Sequence, residues 1–355
     1  MPVTISAEKL TQLLKTMCRR SGSDESEAEA VARNLVEANL MGHDSHGVGL
    51  IPRYIEHTMD GRVTIDGHAS VLSDTGAFLL LEGNMGYGQV VGREAMEMGL
   101  AKAREHGVAI VGLKNVHHLG RIGAWGEICA EAGFISIHYV NAHGHAALVA
   151  PFGGYDARYS TNPYCTALPA TPENPMLVLD MATSRVAQGK VRVAYYRKAE
   201  MMAGALVGPD GRPTNDPTVM FEEPKGALLS FGEHKGYGLA LICDILAGAL
   251  TGGGTAHPEN HQENTIRNNM LTIIIDPDGF RQGVPFDREI DMLTAWVKDS
   301  RTVDGVDGVL VPGEPERLSS AARLADGVPI EDATWAEIVE AGLSVGMNKV
   351  DFEDV

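Results

Sequence analysis

The sequence predicts an α/β fold with helices packed on a sheet, and three observations carry that prediction. From about residue 70 onward, apolar runs alternate with helical patterns. Before that point, the first 42 residues show helical periodicity alone. The composition is globular, with 44% hydrophobic and 21% charged residues in 355. It excludes disordered, collagenous and coiled-coil classes and leaves room for two domains or one large domain with additions. The alternation does not fix strand direction.

In the first helix Ser6 is the expected N-cap, Leu10, Leu13, Leu14 and Met17 share a face, and Gly22 ends the element. Ser23 is placed to cap the second helix. Asp24 and Glu25 fall in its first turn, where negative charge suits the dipole. Ala28, Val31, Ala32 and Leu35 form its buried stripe, and Gly42 stops it. Residues 78–81 are a short apolar run. Residues 92–106 read as a helix closed by Gly107, and 108–113 (VAIVGL) as a β-branched strand. A Gly-bounded helix over 123–133 precedes strands over 134–140 and 176–180. Residues 235–250 read as one helix, apolar nearly all round, and 271–277 as a strand. The Pro- and Gly-rich segments 151–175, 204–217 and 251–260 read as loops. Near the C-terminus, Thr334 and Glu337 have capping-box spacing ahead of Ile338, Val339 and Leu343.

A net charge of −18 repels nucleic-acid phosphates and anionic membrane surfaces, so neither is an expected partner. Cys18, Cys129, Cys165 and Cys243 lie far apart and form no CxxC pair, which argues against a disulfide framework or a structural zinc. The N-terminal segment lacks the apolar core of a signal peptide. No stretch reaches the roughly 18 apolar residues of a membrane helix. The expectation is a cytoplasmic protein.

Histidines point to chemistry. Ten of the thirteen lie at or before residue 145, several beside glycine in GHDSHG (42–47), VHHLG (116–120) and NAHGHA (141–146). Each alone reads as an exposed or capping residue; three such segments together suggest a site. A metal centre would use His143 and His145 with His117 or His118, yet Gly144 makes that HxH more loop than strand. The competing chemistry is acid–base catalysis by a His near neutral pH, with the Ser45 hydroxyl beside His46 to bind a substrate oxygen and Asp180 to orient a His ring. Gly86, Gly88 and Gly92 resemble a dinucleotide turn, but no acidic residue ends a following strand, so a tight loop before a helix fits them better. Lys235, with Gly236 and Gly238 at a helix start, is a stronger phosphate-holding candidate.

The segments GHDSHGVGLIPRY (42–54), NVHHLGRIG (115–123), TNPYCTALPA (161–170), LDMATSRVAQGK (179–190), EHKGYGL (233–239), NNMLTIIIDP (268–277) and VPGEPE (311–316) occur in an order similar to that of the malate/L-lactate dehydrogenase family of the second type. The resemblance spans essentially the whole chain. It implies a non-Rossmann NAD(P)-binding domain over 71–315, with a mostly antiparallel sheet flanked by helices. It also implies a smaller helical domain from 1–70 with 316–355, and a homodimer. It further implies hydride transfer between a 2-hydroxy acid and a 2-oxo acid with NAD or NADP; no ribose-reading residue separates the two, and NAD is the expectation. His46 and His118 would be the catalytic histidines, His46 first as proton carrier. Asp180, Met181, Ala182, Lys235, Gly236, Pro312, Gly313 and Glu314 would contact the cofactor. Many members carry Arg four residues after the SHG histidine; here that place is Leu50, and the arginine is Arg53 beside Tyr54. A helix over 45–54 would set His46, Leu50 and Arg53 on one face. Leu50 would form an apolar wall and Arg53 a carboxylate clamp, with Pro52 bending the helix. Tyr54, like Ser45, would orient substrate. The alternative reading is a metal-dependent hydrolase or lyase built on the His clusters.

Overall fold

The computed structural model describes residues 3–260, 265–280 and 286–352. In chain order the elements begin with β1 (Val3–Ile5), α1 (Ala7–Arg20), α2 (Glu25–Leu40) and α3 (Ile51–Met59). The sheet and its helices follow: β2 (Ser70–Thr75), β3 (Phe78–Glu82), α4 (Gly88–His106), β4 (Val108–His117), α5 (Gly123–Glu131), β5 (Ile135–His143), β6 (Tyr164–Leu168), β7 (Leu177–Met181) and α6 (Gln188–Arg197). Next come β8 (Leu206–Val207), β9 (Pro213–Thr214), β10 (Ala227–Leu228), α7 (His234–Cys243) and β11 (Arg267–Ile275). The chain closes with α8 (Phe286–Lys298), α9 (Glu314–Asp326), β12 (Val328–Ile330) and α10 (Asp332–Ser344).

Among the described residues the main sheet has seven strands in the order β2-β3-β4-β11-β5-β6-β7. Its pairs are antiparallel except β3 with β4. Val111, Leu113, Met270 and Val140 on its central strands pack against Val91, Ala95 and Met96 of α4 and against Trp125 and Cys129 of α5. The two chain ends share another core. β1 pairs with β12, and Leu10, Leu14, Val31, Leu35, Tyr54 and Ile338 bury one another. No helix among the described residues is long and apolar enough to cross a membrane.

Several local expectations need correction. Asp24, not Ser23, caps α2, its Oδ1 accepting the Glu27 N–H at 2.7 Å. Ser23 instead donates to Glu27 Oε1 at 2.7 Å. Thr334 lies inside α10, which is capped at Glu331, so the capping-box spacing there is incidental. The helix over 235–250 divides into α7 and a π-helical turn, Asp244–Ala249, in which Asp244 is buried. Asp244 accepts from Asn141 Nδ2 and from the Ala256 N–H, which anchors the turn to the sheet. The segment read as a loop over 151–175 contains β6, whose strand state comes from pairing on both sides with β5 and β7 rather than from local propensity. β8 and β9, two residues each, lie in the 204–217 loop and are too short to show a period.

Candidate active site

His46 ends a 3₁₀ turn, Asp44–His46, that Asn39 of α2 holds in place. Asn39 Nδ2 donates to Asp44 Oδ1 at 2.7 Å, and its Oδ1 accepts the Val48 N–H at 2.7 Å. A Cβ on Gly47 would lie 2.0 Å from Asn39 Oδ1, so only glycine fits the turn. At Gly47 the backbone becomes extended (φ −92°, ψ −155°), a second 3₁₀ turn follows (Val48–Leu50), and α3 starts afresh. Residues 45–54 are therefore not one helix, and His46, Leu50 and Arg53 do not share a helical face. Pro52 sits in the first turn of α3, where its missing N–H leaves no bond unmade and bends nothing. Leu50 packs on the core of the chain ends, and Arg53 is exposed.

The His-His pair splits at the end of β4. His117 is buried and its Nε2 meets His57 Nδ1 at 2.9 Å. His118 turns the other way. Its Nδ1 meets the Tyr54 hydroxyl at 2.8 Å, and its ring stacks on His46 with centroids 5.7 Å apart and planes 14° apart. Tyr54 is fully buried and also accepts from Gln89 Nε2 at 3.0 Å. The Gly86–Gly92 pattern is explained by packing. A Cβ on Gly88 would lie 2.3 Å from the His118 carbonyl oxygen, and one on Gly92 would lie 2.9 Å from Trp125. The glycines let α4 press against the chain that carries His118.

Burial keeps these imidazoles neutral. It pushes His46 down to about 4, the Asp180 carboxylate opposing and His43 and Arg121 reinforcing the shift. Burial likewise holds His118 well below the ordinary value, followed by the charges of His46, His117 and Arg53. His57 falls to about 4 and His117 to about 3, again by burial first. The titration expected near neutrality therefore lies on the acid side in this protein.

Ser45 Oγ lies 3.1 Å from His46 Nδ1. Behind Ser45 is the first turn of α6, where a Cβ on Gly189 would lie 2.6 Å from Ser45 Cβ. Asp180, near the end of β7, accepts the Gly123 N–H at 2.7 Å at the start of α5, where helix polarity favours a carboxylate. Among the described residues it makes no hydrogen bond to a His ring; its charge, not a contact, acts on His46. Nearby Arg121 is buried and forks onto Glu127.

The expected cofactor segments converge on β7. Met181 and Ala182 follow Asp180, and Thr183 O accepts the Phe231 N–H at 3.1 Å, which brings the 233–239 segment to the strand end. There Gly236 is buried, and a Cβ on it would lie 2.2 Å from Phe231 O, while Lys235 is exposed on the first turn of α7. Glu233 just before it takes φ +57°. Along the other flank of β7, Pro312 O accepts the Val178 N–H at 3.4 Å. Gly313 (φ +85°) has Val178 N within 3.2 Å of where a Cβ would be. Glu314 opens α9 and pairs with Lys298 at 2.6 Å. A cavity of about 250 Å³ is lined there by Asn174, Leu177, Lys298, Glu314 and Arg317. The N–H groups of Lys235, Gly236 and Tyr237 at the start of α7 are taken by the carbonyls of Gly232, Phe231 and Glu233, so free backbone donors are not what that helix start offers. The glycines and the exposed Lys235 ammonium are what fit a dinucleotide phosphate there.

Another cavity, of about 280 Å³, lies at the end of β5 beside His143, Gly144, Thr265 and Arg267. Among the described residues no group of three or more His, Cys, Asp or Glu side chains is arranged to hold a metal ion. Sequence reasoning missed three parts of the site: Gln89, the buried His57–His117 pair, and Gly189 behind Ser45. Gln89 left a trace, a large amide directly after the glycines at the start of an apolar helix.

The family model for malate/L-lactate dehydrogenase matches residues 5–339. Hydroxycarboxylate dehydrogenase B of Escherichia coli K12 is 44% identical over 344 residues, covering 96% of this chain and 94% of that protein. The L-lactate dehydrogenase of Cupriavidus necator is 38% identical, covering 90% and 91%. The solved sulfolactate dehydrogenase of Methanocaldococcus jannaschii superposes with a TM-score of 0.85 at 32% identity, over 98% of this chain and 99% of that one. These relatives give no support to a metal-dependent hydrolase or lyase. The same fold, matched along nearly the whole length by dehydrogenases, leaves one assignment: the chain belongs to the malate/L-lactate dehydrogenase family.

Proposed function

We propose that the stacked rings of His46 and His118 form the reaction centre of a 2-hydroxy acid dehydrogenase, with the substrate cleft on their open side and NAD, ahead of NADP, lying along β7. The observation that carries this reading is the stacked His pair set beside Asp180, at the strand end where the Lys235 segment arrives. When bound, the cofactor gives or takes a hydride at the substrate's α-carbon. The chain itself must hold the substrate in line and manage one proton. Ser45 engages His46 Nδ1, which leaves Nε2 to exchange that proton with the substrate oxygen. His118 is the second group at that oxygen, and Tyr54 holds its ring. Arg53 supplies positive charge for the substrate carboxylate, and Leu50, in the 3₁₀ turn before α3, supplies an apolar neighbour. Lys235, Gly236, Asp180, Met181, Ala182 and the Pro312–Gly313–Glu314 segment hold the dinucleotide. A 2-oxo acid panel with NADH and NADPH, followed by nicotinamide absorbance, tests the reading. Turnover with neither cofactor across the panel overturns it.

The same reading divides the chain into a helical unit, 1–70 with 316–355, and a cofactor-binding unit, 71–315, in keeping with the separate cores. It also holds that the chain forms a homodimer. Leu241, Ile242 and Ile245 of α7 and the π-helical turn are 43–46% exposed, an apolar face that a second copy would cover. Sedimentation at micromolar concentration tests this, and a monomer contradicts it. All four cysteines are free and buried, which suits the reducing cytoplasm we assign to the protein.

A further inference from the structure

We infer that Gln89 fixes the tautomer of His118 through Tyr54, so that His118 presents a hydrogen-bond donor, Nε2–H, to the cleft. The inference rests on the reading that the cleft binds a 2-oxo acid.

Three atoms form the chain. Gln89 Nε2 lies 3.0 Å from the Tyr54 hydroxyl, and that hydroxyl lies 2.8 Å from His118 Nδ1. A side-chain amide nitrogen only donates, and a phenol carries one hydrogen and two lone pairs. The Tyr54 oxygen therefore accepts from Gln89 and has its own hydrogen left to place. Tyr54 is 0% exposed, and among the described residues its hydroxyl has no other partner besides His118. If His118 donated from Nδ1–H, the phenolic hydrogen would be buried without an acceptor, a cost of about 1–3 kcal/mol. The lower-energy arrangement has Tyr54 donating to a bare Nδ1. In neutral His118 the hydrogen must then sit on Nε2, on the side of the ring away from Tyr54.

The direction of the chain depends on which way the Gln89 amide points, and the backbone decides that. Gln89 Nε2 also lies 3.4 Å from the His118 carbonyl oxygen, which can only accept. Turning the amide would set oxygen against oxygen there. The glycines hold this arrangement close: a Cβ on Gly120 would lie 3.3 Å from Gln89 Nε2, and Gly88 admits the His118 backbone. Gln89 is 2% exposed and Gln89 Oε1 has no partner, so it is placed for what its nitrogen does. It acts through Tyr54 and is a positioning residue. A substrate carbonyl oxygen would meet His118 as a donor already aimed by two buried groups.

The direct measurement is the ¹⁵N spectrum of the full-length protein's histidine rings near pH 7, with the His118 signals assigned by their loss in His118→Asn. The expected result is an Nε2–H ring in the wild type and an appreciable Nδ1–H fraction in Gln89→Met, which keeps the volume and removes the donor. An Nδ1–H ring in the wild type, or an unchanged ring in Gln89→Met, overturns the inference. The second measurement is a kinetic cycle. Gln89→Met should lower kcat for 2-oxo acid reduction about tenfold with the cofactor KM unchanged, and should cost no more than twofold further in a Tyr54→Phe background. A full tenfold loss in that background would mean Gln89 acts by packing and not through Tyr54. Absence of wild-type turnover would fail the functional reading while leaving the ring spectrum to judge the tautomer.

Discussion

His46 and His118 lie face to face, 5.7 Å between centroids and 14° between planes, so a proton on His46 works against one on His118. Burial holds His46 at about 4. Reduction of a 2-oxo acid needs an imidazolium, and kcat/KM reports the free enzyme. The rate constant kcat/KM for reduction should therefore rise as pH falls from 7 toward about 4. For oxidation of the hydroxy acid it should be flat above about pH 5. A bell centred at pH 7 in kcat/KM would contradict the geometry. Replacing either ring with alanine should lower turnover on the order of 10²-fold.

Asp180 raises the His46 pKa by its charge while its oxygen accepts from Gly123. Asp180→Asn keeps an acceptor for that N–H but removes the charge. The acid limb of the reduction profile should move to lower pH, with thermal stability little changed. If the limb stays in place, Asp180 serves α5 and not the histidine.

Stability should share the acid sensitivity. His117 and His138 are buried and pushed down to about 3, and His57 to about 4, mainly by burial. Above the unfolded value, about 6.5, these rings are neutral in both states and cost nothing. Below it the unfolded chain takes up protons that the folded one refuses, so stability falls as pH drops from 6.5 toward 4. Melting temperatures at pH 7.5, 6 and 5 check this. His138→Gln, which keeps polar contact with Ser136 and Thr272, should flatten the decline.

What was legible in the sequence was what repeats or punctuates. The stripe Leu10–Leu14–Met17, the αL glycine after α4 and the β-branched core of β4 each carry a local signal, and each forms as expected. The His46 and His118 segments stood out because histidine beside glycine is unusual. The path between them was not legible. Gly47 turns the chain only because Asn39, on another helix, occupies the space a Cβ would take. Gln89, His57 and Gly189 matter through contacts dozens of residues away, and no period or cap announces such contacts. β6 is a strand because its neighbours are strands.

Gly189 and Gly238 make a paired test of the site's tightness. A Cβ on Gly189 would lie 2.6 Å from Ser45 Cβ, whereas one on Gly238, inside α7, would meet nothing within 4 Å. Gly189→Ala should displace the Ser45–His46 turn, lowering turnover about tenfold and stability by about 1–3 kcal/mol. Gly238→Ala should raise stability by about 0.5–1 kcal/mol through helix propensity. Equal turnover in Gly189→Ala and wild type would show that the turn yields without consequence.

Arg53 lies one residue before Tyr54 on α3, is exposed, and makes no ion pair among the described residues. Its charge nonetheless contributes to the lowered pKa values of His57, His117 and His118, so it acts on these rings through space. An exposed cation without a carboxylate partner among the described residues, one residue before Tyr54, is suited to a substrate carboxylate. Arg53→Ala should raise the KM for a 2-oxo acid about tenfold to a hundredfold, the size of a lost charged hydrogen bond, with a smaller effect on kcat. Arg53→Lys should recover part of the loss, because the charge returns without the fork. The same Ala variant should raise the His118 pKa, a shift that a surface arginine remote from the cleft would not produce. Leu50, partly buried against the core of the chain ends, supplies no second cation. Malate, with its second carboxylate, should therefore be a poorer substrate than lactate or a bulkier monocarboxylic 2-hydroxy acid. Steady-state kinetics with the three acids decide the matter: a clear preference for malate, or an unchanged KM in Arg53→Ala, would mean that another cation reads the carboxylate.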